Sequence, residues 1–207
     1  MRVRTEFRRQ SILDAATRLF REMGYERASM NELAKRCGGS KATIYGYFPS
    51  KESLFVEVVK ASATAHLSEA TKELVGDARG TEALESKLLR FAERMLLVVT
   101  NDATSIEVYR MVVAEAGRTE VGELFRGAGP RQANEALSRV LSGAMKVGIL
   151  RKANPNIAAS QFTSLVVAET SARVLERDPK PMTPSEIRKI AQRAVDMFLH
   201  GMGPPRP

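Results

Sequence analysis

Residues 29–55 read SMNELAKRCGGSKATIYGYFPSKESLF. A serine opens a short apolar run, two adjacent glycines interrupt it, a second serine restarts it, and Pro49 stops it before a third serine. Ser29 and Glu32 have capping-box spacing, in which the hydroxyl takes a first-turn N–H and the carboxylate reaches back to the cap. This predicts a helix from Met30 to about Arg36, because Gly38 and Gly39 break it. Ser40 then offers an N-cap for a second short helix reaching about Tyr47. Two short helices joined through a glycine turn make a helix-turn-helix. Ala34 is small where the helices cross, and Gly38 permits a positive φ at little steric cost.

The second helix divides cleanly. Ile44 and Phe48, at i and i+4, face inward, leaving Lys41, Ala42, Thr43, Tyr45, Gly46 and Tyr47 outside. Small and polar residues at its N-terminal end can approach base edges, while phenol and ammonium donors around the rim can grip phosphates. Double-stranded DNA is therefore the expected partner.

Outward from this centre the chain reads as helix. Ile12, Ala15, Ala16, Leu19, Phe20 and Met23 form one amphipathic stripe, and Gly24 follows where a left-handed cap would sit. Ser50 opens a long helix through residues 51–74, with Leu54, Phe55 and Val58 inward. Leu84 to Thr100, Ile106 to Ala116 and the run after the GAGP of residues 127–130 have helical period. Asn154-Pro155 and Thr183-Pro184 with Glu186 mark two later starts. No alternating Val/Ile/Thr run suggests a strand. The expectation is an all-α fold of about nine helices. A three-helix helix-turn-helix domain would span 1–52, with helix 4 from about residue 51 as the link. A larger ligand-binding and dimerisation domain would span 53–202, and 203–207 would form a disordered tail.

Composition narrows the function. The net charge is +8, and the first sixty residues hold twelve lysines and arginines against seven acids, so most of the excess lies around the helix-turn-helix. Arg2, Arg4, Arg8 and Arg9 form a basic N-terminal arm that could enter a minor groove. No apolar run approaches the ~20 residues needed to span a bilayer, and the N-terminus does not read as a secretory leader. A cytoplasmic location and no membrane partner are expected. With two histidines, one cysteine and no Walker, dinucleotide or H-E-x-x-H motif, the chain lacks the usual catalytic and metal kits. No enzyme activity, cofactor or metal is expected.

Ile12 to Phe55, about a fifth of the chain, resembles the DNA-binding domain of TetR-type transcriptional regulators. The likeness lies in the first-helix pattern AA..LF...G, the centre IA...GVS.GT.Y.YF and the SKE.L that opens helix 4. It implies base or groove contacts from Lys41, Ala42, Thr43 and Tyr45, and phosphate contacts from Ser29, Ser40, Tyr47 and Lys51. Two departures stand out. Gly39 replaces the usual valine, removing a core side chain, and Gly46 puts no side chain where some relatives place a base contact. The segment from Met111 to Pro130 resembles the C-terminal domains of the AefR-like branch.

One recognition helix rarely suffices, so a two-fold homodimer reading half-sites ~34 Å or more apart is expected. The apolar helices near the C-terminus are the expected interface. Phe162, Leu165, Val166, Ala172 and Leu175 come from one, and Ile187, Ile190, Ala194 and Phe198 from the other. The resemblance also implies a pocket between the two ends of the chain for an unidentified small-molecule effector. Its expected lining is Phe91, Met95, Tyr109, Met111, Phe125, Met145 and Phe162, a set that plain core packing would equally explain. The predicted function is a ligand-released dimeric repressor on a palindromic operator. A TetR-like activator, or a ligand-binding bundle that no longer reads DNA, are the alternatives.

Overall fold

The structure, a computed structural model, describes residues 2–61, 65–74 and 80–203; for residues 2–4, 65, 66 and 68 it describes the backbone only. Among the described residues all regular structure is helical: α1 (Arg2–Arg27), α2 (Met30–Arg36), α3 (Lys41–Tyr47), α4 (Lys51–Val59), α5 (Ala65–Lys72), α6 (Thr81–Asn101), α7 (Ala103–Glu115), α8 (Val121–Ala128), α9 (Pro130–Lys146), α10 (Pro155–Val167) and α11 (Pro184–Met202), with a 3-10 turn at Ser171–Leu175. The all-α expectation holds, with more and shorter helices than the periodicity suggested. The long helix expected after Ser50 is α4 and α5, separated by residues outside those described. Among the described residues no helix is long and apolar enough to cross a membrane.

The chain packs as two compact units, Met1–Thr64 with Glu107–Ala128, and Ala65–Ile106 with Gly129–Pro207. This differs from a single cut near residue 52, because α4 and the 107–128 segment bury their apolar faces with α1 to α3. Sequence order alone does not reveal such a return. Phe20, Tyr25 and Phe55 stack and meet edge-on at ring separations of 5.8, 5.6 and 5.1 Å. Burying each such ring contributes about 1.5–3 kcal/mol. Ile12, Leu33, Ile44 and Leu54 surround them, and Val108, Val112 and Val121 from the returning segment complete the core. Gly24 has φ +76° and interrupts the helical run of α1, so Tyr25 turns inward. A Cβ at Gly24 would stand 2.7 Å from Glu115 Oε1.

In the second unit, α10 packs on α9 and α11, and α6 on α11 and α5. Its core includes Leu88, Leu137, Leu141 and Val195 and an aromatic row. Phe91 and Phe162 lie 6.3 Å apart, and Phe162 meets Phe198 edge-on at 5.0 Å. Both proline-marked starts behave as read. Asn154 Oδ1 accepts from Asn156 and Ile157 N–H, and Thr183 and Glu186 form a complete reciprocal box. Asn101 acts as a backbone surrogate: its Nδ2 donates to Met182 O and its Oδ1 accepts from Met182 N, each at 2.8 Å.

Several expected interface residues are corrected, and the expected pocket lining falls in two places. Phe162, Val166, Ile187, Ile190, Ala194 and Phe198 are buried inside their own chain, so they cannot form the surface a partner touches. Apolar periodicity reports that a face is covered, not which chain covers it. Of the remaining interface residues, Leu165 packs against the same core, while Ala172 and Leu175 are exposed. The expected pocket lining also divides between the units. Phe91, Met95, Met145 and Phe162 belong to the second unit and its core, whereas Tyr109, Met111 and Phe125 pack in the first. The expected disordered tail falls, apart from Gly203, outside the described residues.

Candidate nucleic-acid interface

Local hydrogen bonding fixes where α2 and α3 begin. Ser29 Oγ accepts from Glu32 N at 3.1 Å and caps α2. The expected return bond from Glu32 is absent from this cap, since its carboxylate faces Arg36 at 3.3 Å, and Arg36 also pairs with Glu22 at 2.6 Å. Those two glutamates raise the Arg36 pKa, the Glu22 hydrogen bond first. Gly38 has φ +59°, as the turn requires, and the Gly38 and Gly39 amides close the corner onto Lys35 O and Ala34 O, both at 3.1 Å. Ser40 Oγ accepts from Thr43 N at 3.0 Å and meets Thr43 Oγ1 at 2.9 Å, starting α3.

The two faces of α3 separate as expected. Ile44 and Phe48 are buried in the first core. Ser40, Lys41, Ala42, Thr43, Tyr45 and Gly46 are exposed, and the Lys41 ammonium lies 5.7 Å from the Tyr45 ring centre. A Cβ at Gly46 would meet nothing within 4 Å, so this spot is smooth rather than sterically reserved. Ser29 is exposed at the start of α2. Tyr47 is half-buried and lines a cleft of about 520 Å³ with Arg9, Pro49, Val56, Glu57 and Leu124. Six of the eight expected DNA contacts thus sit on α3 or its cap.

Lys51 lies elsewhere in chemical terms. Its ammonium donates to the carbonyls of Tyr25 (2.9 Å), Glu26 (3.2 Å) and Ala28 (3.3 Å), and sits 4.3 Å from the Tyr25 ring centre. A lysine has three N–H donors, and all three are engaged. Helix ends leave carbonyls without intrahelical donors, and Lys51 satisfies those where α1 runs into α2. The expected phosphate donor is instead a cap that ties the start of α4 to the end of α1.

The basic arm is also reassigned where it is described. Arg8 and Arg9 lie within α1 as half-buried residues, each with an acceptor in the fold. Arg8 Nη2 donates to Cys37 O at 3.0 Å, while Arg9 pairs with Glu57 and lies 5.2 Å from the Phe48 ring centre. The side chains of Arg2 and Arg4 lie outside the described residues. Hydrogen bonding from Lys60, then from Arg9, lowers the Glu57 carboxyl pKa.

A further cluster gave no local sequence signal. The Tyr25 hydroxyl donates towards Glu120 at 3.0 Å, with Glu52 at 3.5 Å. Burial, then the Glu120 hydrogen bond, pushes the phenol pKa far above its ordinary value and keeps it a donor. Ninety-five positions separate Tyr25 from Glu120, so only the fold brings them together.

Comparisons with known proteins agree with this geometry. Residues 12–58 match the family described as bacterial regulatory proteins of the tetR family. Residues 86–202, more than half of the chain, match the AefR-like transcriptional repressor C-terminal domain. The HTH-type transcriptional regulator Rv1255c of Mycobacterium tuberculosis is 37% identical over 99 residues, covering 47% of this chain and 43% of that protein. The HTH-type transcriptional repressor AcnR of Corynebacterium diphtheriae is 39% identical over 66 residues, 32% of this chain and 34% of that one. The chain therefore spans less than half the length of these relatives. Among solved structures, the flavonoid-responsive regulator FrrA superposes with a TM-score of 0.76 at 28% identity, covering 97% of this chain and all of that one. A TetR family transcriptional regulator from Pseudomonas syringae pv. tomato gives 0.73 at 28% identity, covering 96% and 98%.

Proposed function

Because the chain belongs to the TetR family of transcriptional regulators, we propose that it is a ligand-released repressor that reads a palindromic operator as a homodimer. The observation that carries the reading is α3: a capped helix whose inner face is locked by Ile44 and Phe48 and whose outer face, Ser40 to Tyr45, is small, polar and basic. Lys41, Ala42, Thr43 and Tyr45 would meet base edges in a major groove, while Ser29, Ser40 and Tyr47 would hold the flanking phosphates. The repressor sense is supported by the AefR-like C-terminal match and by AcnR, which is named a repressor.

Two copies would join through outward-facing residues of α10 and α11. Ile157, Gln161 and Ser164 form an exposed stripe on α10, and Met197 of α11 is 64% exposed. An apolar or amphipathic effector is supported by the aromatic and methionine-rich second core and by FrrA, whose name marks it as flavonoid-responsive. Such a ligand would release DNA by preferring the conformation that misplaces the reading helices, its effect being limited by its differential affinity for the two states.

The test is selection from random-sequence duplexes by the purified protein at two salt concentrations. An enriched palindrome with a steep salt slope is the expected result. Lys41→Ala or Thr43→Ala should reorder the preferred sequences, whereas Tyr47→Ala should weaken all of them alike. No enrichment after removal of bound small molecules would refute the DNA-reading role.

A further inference from the structure

Two observations meet at the helix-turn-helix corner. Arg8, near the start of α1, donates from Nη2 to Cys37 O at 3.0 Å. A Cβ built on Gly39 would stand 2.8 Å from that same Nη2 and would meet no other atom within 4 Å. Gly39 does not have a positive φ, so its backbone conformation does not require glycine. The close approach is to the guanidinium alone: the missing side chain leaves a seat that Arg8 occupies and that a larger residue would fill only by moving it aside.

Arg8 also differs from several arginines around it. Arg9 pairs with Glu57, Arg21 with Glu107, and Arg36 with Glu22 and Glu32. Among the described residues Arg8 has a neutral carbonyl as its acceptor and no carboxylate. Among the described residues no carboxylate pairs with its charge, and Nη2 is the donor that has an acceptor, which leaves the rest of its five-donor fork for a further partner. It is half-buried, held beside residues 37–39, just before the exposed Ser40 and Lys41.

We propose that Arg8 is a DNA-phosphate contact built into this corner. Gly39 seats the guanidinium, Cys37 O holds it, and its outward N–H groups take a phosphate oxygen flanking the groove that α3 enters. The assignment rests on the DNA-reading function proposed above. A planar fork suits phosphate oxygens, and one already held in place loses little side-chain freedom on binding. Such a contact sets register and affinity without reading bases, so its loss weakens all sequences alike.

The experiment titrates the full-length protein against its selected operator duplex at several salt concentrations, with thermal melting of each variant. Arg8→Ala should weaken binding about ten-fold and make the log–log salt slope shallower by about one. Arg8→Lys keeps the charge and should recover most of the slope. Gly39→Val should displace the guanidinium, weakening binding when Arg8 is present and having no further effect beside Arg8→Ala. A wild-type slope in Arg8→Ala would overturn the proposal, because a merely structural arginine would lower melting temperature without changing ion release. Equal losses from Gly39→Val in both backgrounds would also overturn it, since position 39 would then act without Arg8. A wild-type protein that binds no duplex selectively would instead remove the DNA-reading function beneath it.

Discussion

Replacing Lys51 with alanine should damage the fold of the DNA-reading unit rather than its grip on phosphate. The substitution removes three hydrogen bonds from one ammonium to Tyr25, Glu26 and Ala28 carbonyls and a cation 4.3 Å from an aromatic ring centre. A cation at a helix C-terminus contributes about 0.3–1 kcal/mol, and a partly exposed cation–ring contact about 0.5–1 kcal/mol. The exposed part of the site lets water replace some of the lost bonding. The remaining carbonyls, buried by Tyr25 and Ala28, cost about 1 kcal/mol when left without a donor. The expected loss is about 2–3 kcal/mol, which in a chain of this size lowers the melting temperature by roughly 4–12 °C. Operator titration below the melting range, over a series of salt concentrations, separates the roles. Affinity and salt slope should both stay close to their wild-type values there, because the protein is folded and no phosphate contact is removed. A slope shallower by about one, with an unchanged melting temperature, would return Lys51 to the phosphate backbone and refute the capping argument.

Asn101→Ala should lower the stability of the second unit by about 1–2 kcal/mol, since Met182 loses partners for both its amide and its carbonyl. Denaturant unfolding would read this as a lower midpoint, and an unchanged midpoint would count against the clasp. Glu186 has a carboxyl pKa held below its ordinary 4.5, first by the Thr183 backbone N–H and then by its hydroxyl. A depressed folded pKa stabilises above the unfolded value and is lost as pH falls through the folded one. Glu186→Gln should therefore be less stable than wild type at neutral pH, with the difference narrowing only below pH 4.5. A difference independent of pH would refute this, because the stabilisation would then not come from the ionised carboxylate.

The helix-turn-helix was legible because its signals are local. Ser40, Gly38 and Pro49 act on their own backbone, and Ile44 and Phe48 follow the period of one short helix. Elsewhere the same periodicity was ambiguous. Phe162, Ile187 and Phe198 look like a shared interface in sequence because a doubly covered helix has the same pattern whether its neighbours belong to one chain or two. Lys51 was legible as a donor but not in its acceptors, which are carbonyls 23 to 26 positions earlier. Gly39 read as a lost core contact, whereas it makes room for the side chain of Arg8, a residue of α1 thirty-one positions before it. Such exchanges are written in three dimensions and leave no trace at either position alone.

The 107–128 segment that closes the first core also sets an order of assembly. Tyr25 finds Glu120, and Val121 joins the core, only after more than half of the chain has been made. At typical synthesis rates of about 5–20 residues per second, roughly 3–14 s separate the appearance of α4 from that of α8. During that interval the nascent helix-turn-helix presents the apolar surface of Phe55 and Val58 without its lid. Cutting the gene after α4 would make that interval permanent, so a minimal DNA-reading fragment must carry the returning helices with it.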